Sequence, residues 1–415
     1  MKNNIEKRKI PELRFPEFND ELRSGIMKKF GKFYYGKSAP KQSLSKNATT
    51  PCVRYGELYS TYGEVIKEIK SYTIIEPEKL KLSKGGEVLI PRVGEKALDF
   101  ANASYLPYPN IAIGEMISVY ETNENGLYLT YYINSRLKYK FAKVVEGGSV
   151  SNLYFRYLEN INLVLPSISE QEKIANFLSF VDEKIEKMEK QKELLEEWKK
   201  GAMQSIFSKE KELRFKPTSP EEVTKYGGAY PEWEEKRLGE YIIPKSLKNK
   251  DLSIDLVLSV SNKKGFITQN EQFDGHVVAS KDLSNYKIVK KNQIAYNPSR
   301  INIGSIARLK DFEVGIVSPM YVIFELKKSL DIIFFENLLE THRFKHDIKV
   351  GCSGSVRDSL NFNDLAGFKV FLPCFEEQEK IANFLSSVDE KIEKVTKEIE
   401  ELKEWKKGLM QKMFV

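Results

Sequence analysis

The sequence predicts a mixed α+β protein made of two similar halves, each a β-rich body followed by a long α-helix. Three observations point there. One helix-like stretch occurs twice, the ends of the two bodies repeat as well, and the interiors alternate short β-rich runs with Gly, Asn and Pro turns.

The helical repeat is the strongest signal. Glu170-Gln171-Glu172-Lys173-Ile174-Ala175-Asn176-Phe177-Leu178 returns 207 residues later as Glu377 to Leu385, and from Leu165 to Phe207 30 of 43 positions match Leu372 to Phe414. Within 170–187 the single change is Phe180 to Ser387. In the second copy Ile381, Leu385, Val388, Ile392, Val395, Ile399 and Leu402 step by 4 and 3 alternately, a heptad seam. The first copy follows through Ile174, Leu178, Val181, Ile185, Met188 and Leu195, with Lys192 where the second has Ile399. Matched seams in one chain predict an antiparallel coiled-coil pair with a body at either end. The competing arrangements are a helix packed on its own body and an intermolecular bundle. Pro166 and Pro373 mark the end of a preceding strand, Ser169 is the expected cap of the first helix, and Gly201 and Gly408 are expected bends.

The bodies open alike, with Glu12-Leu13-Arg14-Phe15 against Glu212-Leu213-Arg214-Phe215. They close alike, with Leu163-Val164-Leu165-Pro166 against Val370-Phe371-Leu372-Pro373. Between these ends they diverge. Gly86 to Pro91 in the first body and Gly315 to Phe324 in the second are representative β-rich runs.

Composition narrows the class. At 415 residues, two or three domains are expected. No apolar run reaches the roughly 20 residues of a membrane span, and the basic start lacks the apolar core of a signal peptide. Three scattered cysteines, Cys52, Cys352 and Cys374, argue against a disulfide framework and for a reducing cytoplasm. The net charge is +7, but the two helical segments, 169–208 and 376–415, are each −2, so the rest of the chain carries +11. Basic bodies suit a polyanion such as nucleic acid, although an ordinary solvated surface carries such a charge too.

Signatures of enzyme chemistry are missing or defective. There is no Gly-x4-Gly-Lys-Ser/Thr phosphate loop. Tyr296-Asn297-Pro298-Ser299 resembles the Asn-Pro-Pro-aromatic signature of amino-methyltransferases, but Ser299 replaces the second proline. His342 and His346 have ligand spacing on a helix, yet Arg343 stands where a zinc hydrolase carries glutamate. Ser353-Gly354-Ser355 reads as a structural turn like Gly148-Ser149, and His276 has no partner near it in sequence. Catalytic, cofactor-binding and metal residues are therefore expected to be absent.

The whole chain resembles the specificity subunit of type I restriction-modification systems. The marks are the two Leu-Pro…Glu-Gln-Glu-Lys-Ile-Ala-Asn-Phe-Leu segments, then Val53-Arg54-Tyr55-Gly56-Glu57-Leu58-Tyr59, Gly85 to Ile90, and Tyr296 to Ser305. The resemblance implies a first target recognition domain at 1–165, a spacer helix at 166–210, a second recognition domain at 211–372 and a second spacer helix at 373–415. It implies a non-catalytic subunit that reads a bipartite site in double-stranded DNA. It directs methyltransferase subunits, expected to number two, and restriction/translocase subunits to that site. S-adenosylmethionine, ATP and Mg would then sit only on the partners. The alternative is a coiled-coil DNA-binding scaffold or regulator that works without a methyltransferase.

Base reading needs Arg, Lys, Asn, Gln or Ser at groove edges, with phosphate contacts fixing register. In the first body Arg54, Tyr55, Arg92 and Lys96 lie in polar, turn-rich sequence; in the second, Asn262, Lys263, Lys264, Asn297, Ser299, Arg300 and Asn302 do. For each of them a plain surface turn is the competing reading.

Overall fold

The structure, a computed structural model, describes the chain except residues 1–9, 38, 95, 97, 99, 101, 148–150, 209–212, 263, 269–281 and 354–358. The chain packs as two compact units. One runs up to Lys190 and includes Thr396–Val415; the other is Gln191–Val395. Each unit therefore holds one body, one end of the first long helix and one end of the second.

The two bodies are built on the same sheet. In the first, strands Gly31–Tyr35, Ile117–Thr122, Glu87–Pro91 and Ser104–Leu106 lie side by side in that order, all antiparallel. In the second, Ile242–Lys245, Val322–Leu326, Ile294–Tyr296 and Ile306–Arg308 take the same places, also antiparallel. A two-stranded ribbon joins the start and end of each body: Arg23–Ile26 with Asn162–Leu165, and Glu234–Arg237 with Lys369–Leu372. Those strands stop at Pro166 and Pro373, which cannot donate to a ladder. The first body adds a second sheet, Ser71–Thr73, Thr50–Val53, Pro109–Ile113 and Leu82–Lys84, in which Thr50–Val53 and Pro109–Ile113 run parallel. The second body instead adds two antiparallel pairs, the hairpin of Leu258–Ser261 with Gly265–Thr268 and the longer-range pair of Lys287–Lys290 with Val314–Val317. The run Gly315 to Phe324 is thus two strands, broken at Ser318-Pro319-Met320-Tyr321, where the Tyr321 amide donates to the Ser318 carbonyl at 3.0 Å.

The long helices are Ile168–Phe207, 40 residues, and Phe375–Met413, 39 residues. At 1.5 Å per residue each is about 60 Å long. Gly201 and Gly408 lie inside continuous helix, so neither interrupts it. A helical glycine costs only about 1 kcal/mol against alanine, and the apolar residues around both are anchored in the body cores. Ser169 is not the cap either: the helix starts at Ile168, and the Ser169 hydroxyl lies 3.2 Å from that of Ser167.

Within each unit the helix segments are antiparallel. In the first unit Glu189 pairs with Lys403 at 2.5 Å and Asp182 with Lys406 at 2.5 Å, and Phe177 meets Trp405 edge-on at 6.0 Å. The repeat-equivalent contacts in the second unit are Lys199 with Asp389 at 2.6 Å and Trp198 with Phe384 at 5.4 Å. Helix and body also share cores. Ile174, Ala175 and Leu178 pack with Leu409, Met413 and Phe414 on Tyr128, Tyr132 and Leu163, while Ile206, Ile381 and Leu385 pack on Trp233, Phe334 and Leu372. Coiled-coil pairing and packing on a body therefore coexist.

The repeated Glu-Gln explains why body ends and helices repeat together. Glu170 is 1% exposed and accepts Arg14 Nε and Nη2 at 2.8 and 2.7 Å. Glu377, fully buried, accepts Arg214 Nε and Nη2 at 2.8 and 3.0 Å, with Trp233 Nε1 at 3.2 Å. Gln171 and Gln378 each donate back to the preceding proline carbonyl at 3.0 Å, and they accept the amides of Asn125 and Asp331. The arginine of each opening segment and the glutamate of the helix that follows are two halves of one socket, made twice.

Candidate nucleic-acid interface

In each body some of the candidate residues follow the third strand of the four-stranded sheet. Arg92 comes directly after Glu87–Pro91, with Lys96 beyond the short strand Val93–Gly94, and Asn297 to Asn302 come directly after Ile294–Tyr296. The strand fixes where this loop leaves the sheet, so its position is shared while its sequence differs.

In the first body Arg54 and Tyr55 open a turn at the end of Thr50–Val53. The Arg54 amide donates to Glu57 Oε2 at 2.8 Å, and the Glu57 amide returns to the Arg54 carbonyl at 3.0 Å. That turn lies against a second one, Gly114-Glu115-Met116. The Gly114 amide donates to the Val53 carbonyl at 2.9 Å, and the Arg92 amide to the Met116 carbonyl, also at 2.9 Å. Arg54 and Arg92 therefore flank the same turn. Lys37 joins them, its amide donating to the Ile113 carbonyl at 2.8 Å. Gly36 is needed there: a Cβ at that position would run into the carbonyl oxygens of Gly114 and Ile113. Tyr55, Lys37 and Lys96 are exposed, while Arg54 and Arg92 are half-buried.

Two neighbours of Arg92 escaped the sequence analysis. Its guanidinium lies over Tyr35 at 4.6 Å and over Tyr154 at 5.7 Å, and Arg156 in turn lies over Tyr154 at 5.0 Å. The signal that could have found them is aromatic residues beside bases, in Tyr34-Tyr35-Gly36-Lys37 and Tyr154-Phe155-Arg156-Tyr157. The nearby Cys52 is no nucleophile candidate, because burial pushes its thiol up to about 11.

In the second body the structure brings the two predicted segments together. A Cβ built on Gly304 would meet Asn262 at 3.6 Å, and the Ser305 hydroxyl donates to the Val260 carbonyl at 3.0 Å. Gly304 takes φ +93°, a left-handed turn that favours glycine. Asn262, Lys264, Ser299, Arg300 and Asn302 are exposed around this junction. Asn297 is not: it is 9% exposed, and its Oδ1 accepts the Ser299 amide at 3.1 Å. An asparagine whose Oδ1 closes its own turn holds the loop, and its Nδ2 donates to Met320 Sδ at 3.7 Å. Lys263, Ser149, Ser355 and His276 lie outside the described residues. His342 and His346 sit exposed on the helix His342–Ser353, and among the described residues no three His, Cys, Asp or Glu side chains cluster as a metal site. A cavity of about 740 Å³ in the second unit, lined by Phe207, Trp233, Arg343 and Phe371, includes none of the candidate residues.

The family model for the type I restriction modification DNA specificity domain matches this chain twice, at residues 27–197 and 230–404. The chain belongs to that family. Each match covers one body and most of the helix that follows it, so the duplication seen in the sheets is the family's own domain occurring twice. Among curated relatives, the MjaVIII specificity subunit of Methanocaldococcus jannaschii is 29% identical over 337 residues, 75% of this chain and 76% of that one. The putative MjaX specificity subunit of the same organism is 28% identical over 294 residues, 68% and 65% of the two chains. The crystal structure of a type I S subunit from M. genitalium shares the fold over 98% of this chain and 99% of that chain, with TM-score 0.60 at 15% identity. A chain from a study of type I complex assembly and conformational transition matches over 96% and 98%, with TM-score 0.53 at 14% identity. No helix among the described residues is long and apolar enough to cross a membrane.

Proposed function

We propose that the chain is the recognition subunit of a type I restriction-modification complex and that each body reads one half of a bipartite site in double-stranded DNA. The observation that carries this reading is the equivalent loop in the two bodies. It leaves the same strand of the same four-stranded sheet, and in each it presents bases and amides of different sequence: Arg92 and Lys96 in one, Ser299, Arg300 and Asn302 in the other. A shared frame with unlike loops suits two readers of unlike half-sites.

The long helices are the surface for the methyltransferase subunits. Trp198 and Trp405 occupy equivalent places in the repeat and are 52% and 50% exposed, large apolar groups left in water twice per chain. Two equivalent surfaces suit two methyltransferase molecules. Methyl transfer, restriction and translocation, with S-adenosylmethionine, ATP and Mg, belong to the partners. The chain itself supplies recognition.

The test is co-expression with the cognate methyltransferase, purification, and mapping of methylated adenines in the host genome. A bipartite methylated motif that disappears without this chain is expected. Specific DNA binding by the purified chain with no stable methyltransferase complex would favour the scaffold reading instead.

A further inference from the structure

Arg92 and Arg54 differ from the other half-buried arginines of the described residues, and of the two only Arg92 has a buried Nε. Arg14, Arg214 and Arg308 each face a carboxylate, on Glu170, Glu377 and Glu336 respectively. Arg92 faces none. Its Nε is buried and meets no hydrogen-bond acceptor, and no hydrogen bond or ion pair holds its guanidinium among the described residues. Yet the residue is held in place. Its amide donates to the Met116 carbonyl and its carbonyl accepts the Leu153 amide, both at 2.9 Å. Its guanidinium lies over the rings of Tyr35 and Tyr154, 4.6 and 5.7 Å from their centroids.

A half-buried guanidinium without an acceptor is unfavourable in the free protein. With Nε buried, an outside acceptor meets the guanidinium at its Nη1 and Nη2 amino groups, which can donate side by side to a planar acceptor. The geometry is that of a donor fork fixed in advance for a planar acceptor supplied from outside. Such a fork fits a phosphate as well as a base edge, but the exposed Lys37 and Lys96 nearby already offer phosphate contacts, which leaves the positioned arginine for a base.

We propose that Arg92 reads a guanine, through O6 and N7 in the major groove, in the half-site recognised by the first body. Tyr35 and Tyr154 are its positioning residues. The inference rests on the reading that this body binds DNA.

The experiment uses the full chain in complex with its methyltransferase. Binding is measured by fluorescence anisotropy on duplexes in which each half-site position is changed in turn, at several salt concentrations. For the wild-type complex, replacing one particular G·C pair in one half-site should weaken binding roughly 5- to 150-fold, the discrimination of a bidentate contact. In Arg92→Ala that position should lose its preference, while the other half-site is still read; this retained reading shows that the variant is folded. Tyr154→Ala should blunt the same preference, and Tyr154→Phe, which keeps the ring, should preserve it. Three results would overturn the proposal: no G·C position whose preference depends on Arg92, unchanged binding by Arg92→Ala, or uniform weakening over all sequences with a salt slope reduced by about one, the mark of a phosphate contact. If the wild-type complex shows no sequence-specific binding at all, the DNA-reading function itself fails, and this inference with it.

Discussion

The socket between Arg214 and Glu377 gives a quantitative test of how body and helix are joined. Glu377 is fully buried, and of its three hydrogen bonds two come from Arg214 and one from Trp233. Arg214→Met would leave this carboxylate buried with the indole N–H alone. Breaking a buried pair from one side costs about 3–5 kcal/mol, because a charge stays behind without its partner. Glu377→Met should cost less, about 1–3 kcal/mol. In that variant Arg214, 22% exposed, retains Glu232 at 3.2 Å and the Pro231 carbonyl at 2.8 Å. The double variant should be more stable than Arg214→Met alone, since exchanging a whole buried pair for apolar groups is often neutral. The assay is thermal and urea unfolding of all four proteins, followed by tryptophan fluorescence. Trp233, 7% exposed and in contact with the pair, reports the second unit. For a unit of about 200 residues, 1 kcal/mol shifts the midpoint by roughly 2–4 °C, so Arg214→Met should lower it by roughly 6–20 °C. A loss below about 1 kcal/mol for that variant, or a double variant equal to the sum of the singles, would show that the socket does not hold the helix to the body.

Phe414→Ala should destabilise the first unit by about 3–5 kcal/mol, because Phe414 is 1% exposed and stacked on Tyr132 at 5.4 Å. Its repeat-equivalent Phe207 is only half-buried beside the cavity, so Phe207→Ala should cost no more than about 2 kcal/mol in the same urea titration. Gly36→Ala should displace the Gly114–Met116 turn, cost about 1–3 kcal/mol and weaken reading of one half-site; an unchanged methylated motif and melting curve would contradict this. Glu222 caps the helix Pro220–Tyr226 and pairs with Lys380 at 2.8 Å, and this lysine, together with the Thr218 and Ser219 amides, holds its carboxyl down at about 2. A depressed folded pKa stabilises above the unfolded value, near 4.5, and that contribution is lost as pH falls toward 2. Glu222→Gln should therefore flatten the pH dependence of the second unit's stability between those values, measured by denaturation across that range.

The functional residues divide by how local their signal is. Gly85-Gly86-Glu87 reads directly as a turn entering a strand, and the structure has φ of +90° and +97° there with Glu87 accepting the Gly85 amide at 2.9 Å. The loops after the two equivalent strands were likewise visible as donors mixed with turn formers. Asn297 shows the limit. Its composition marks it as polar and near a turn, but only the fold reveals that it is buried, with Oδ1 on the Ser299 amide and Nδ2 on Met320. Tyr35 and Tyr154 show the converse: they are 119 residues apart and meet through Arg92, a relation no local window contains.

The sequence by itself determined the duplication, the heptad seams, the strand ends at Pro166 and Pro373, and the resemblance to the specificity family. Repetition and periodicity are properties of the chain, and packing does not alter them. The tertiary structure decided what the repeats are for. It put Arg14 on Glu170 and Arg214 on Glu377, placed Lys406 in the seam against Asp182 and Glu64, and left the equivalent Lys199 with Asp389. It also left Arg92 without an acceptor. Such pairings depend on which distant side chains share a small volume away from water. There the cost of an unpaired charge is high enough to choose partners, and in the extended chain that cost does not exist.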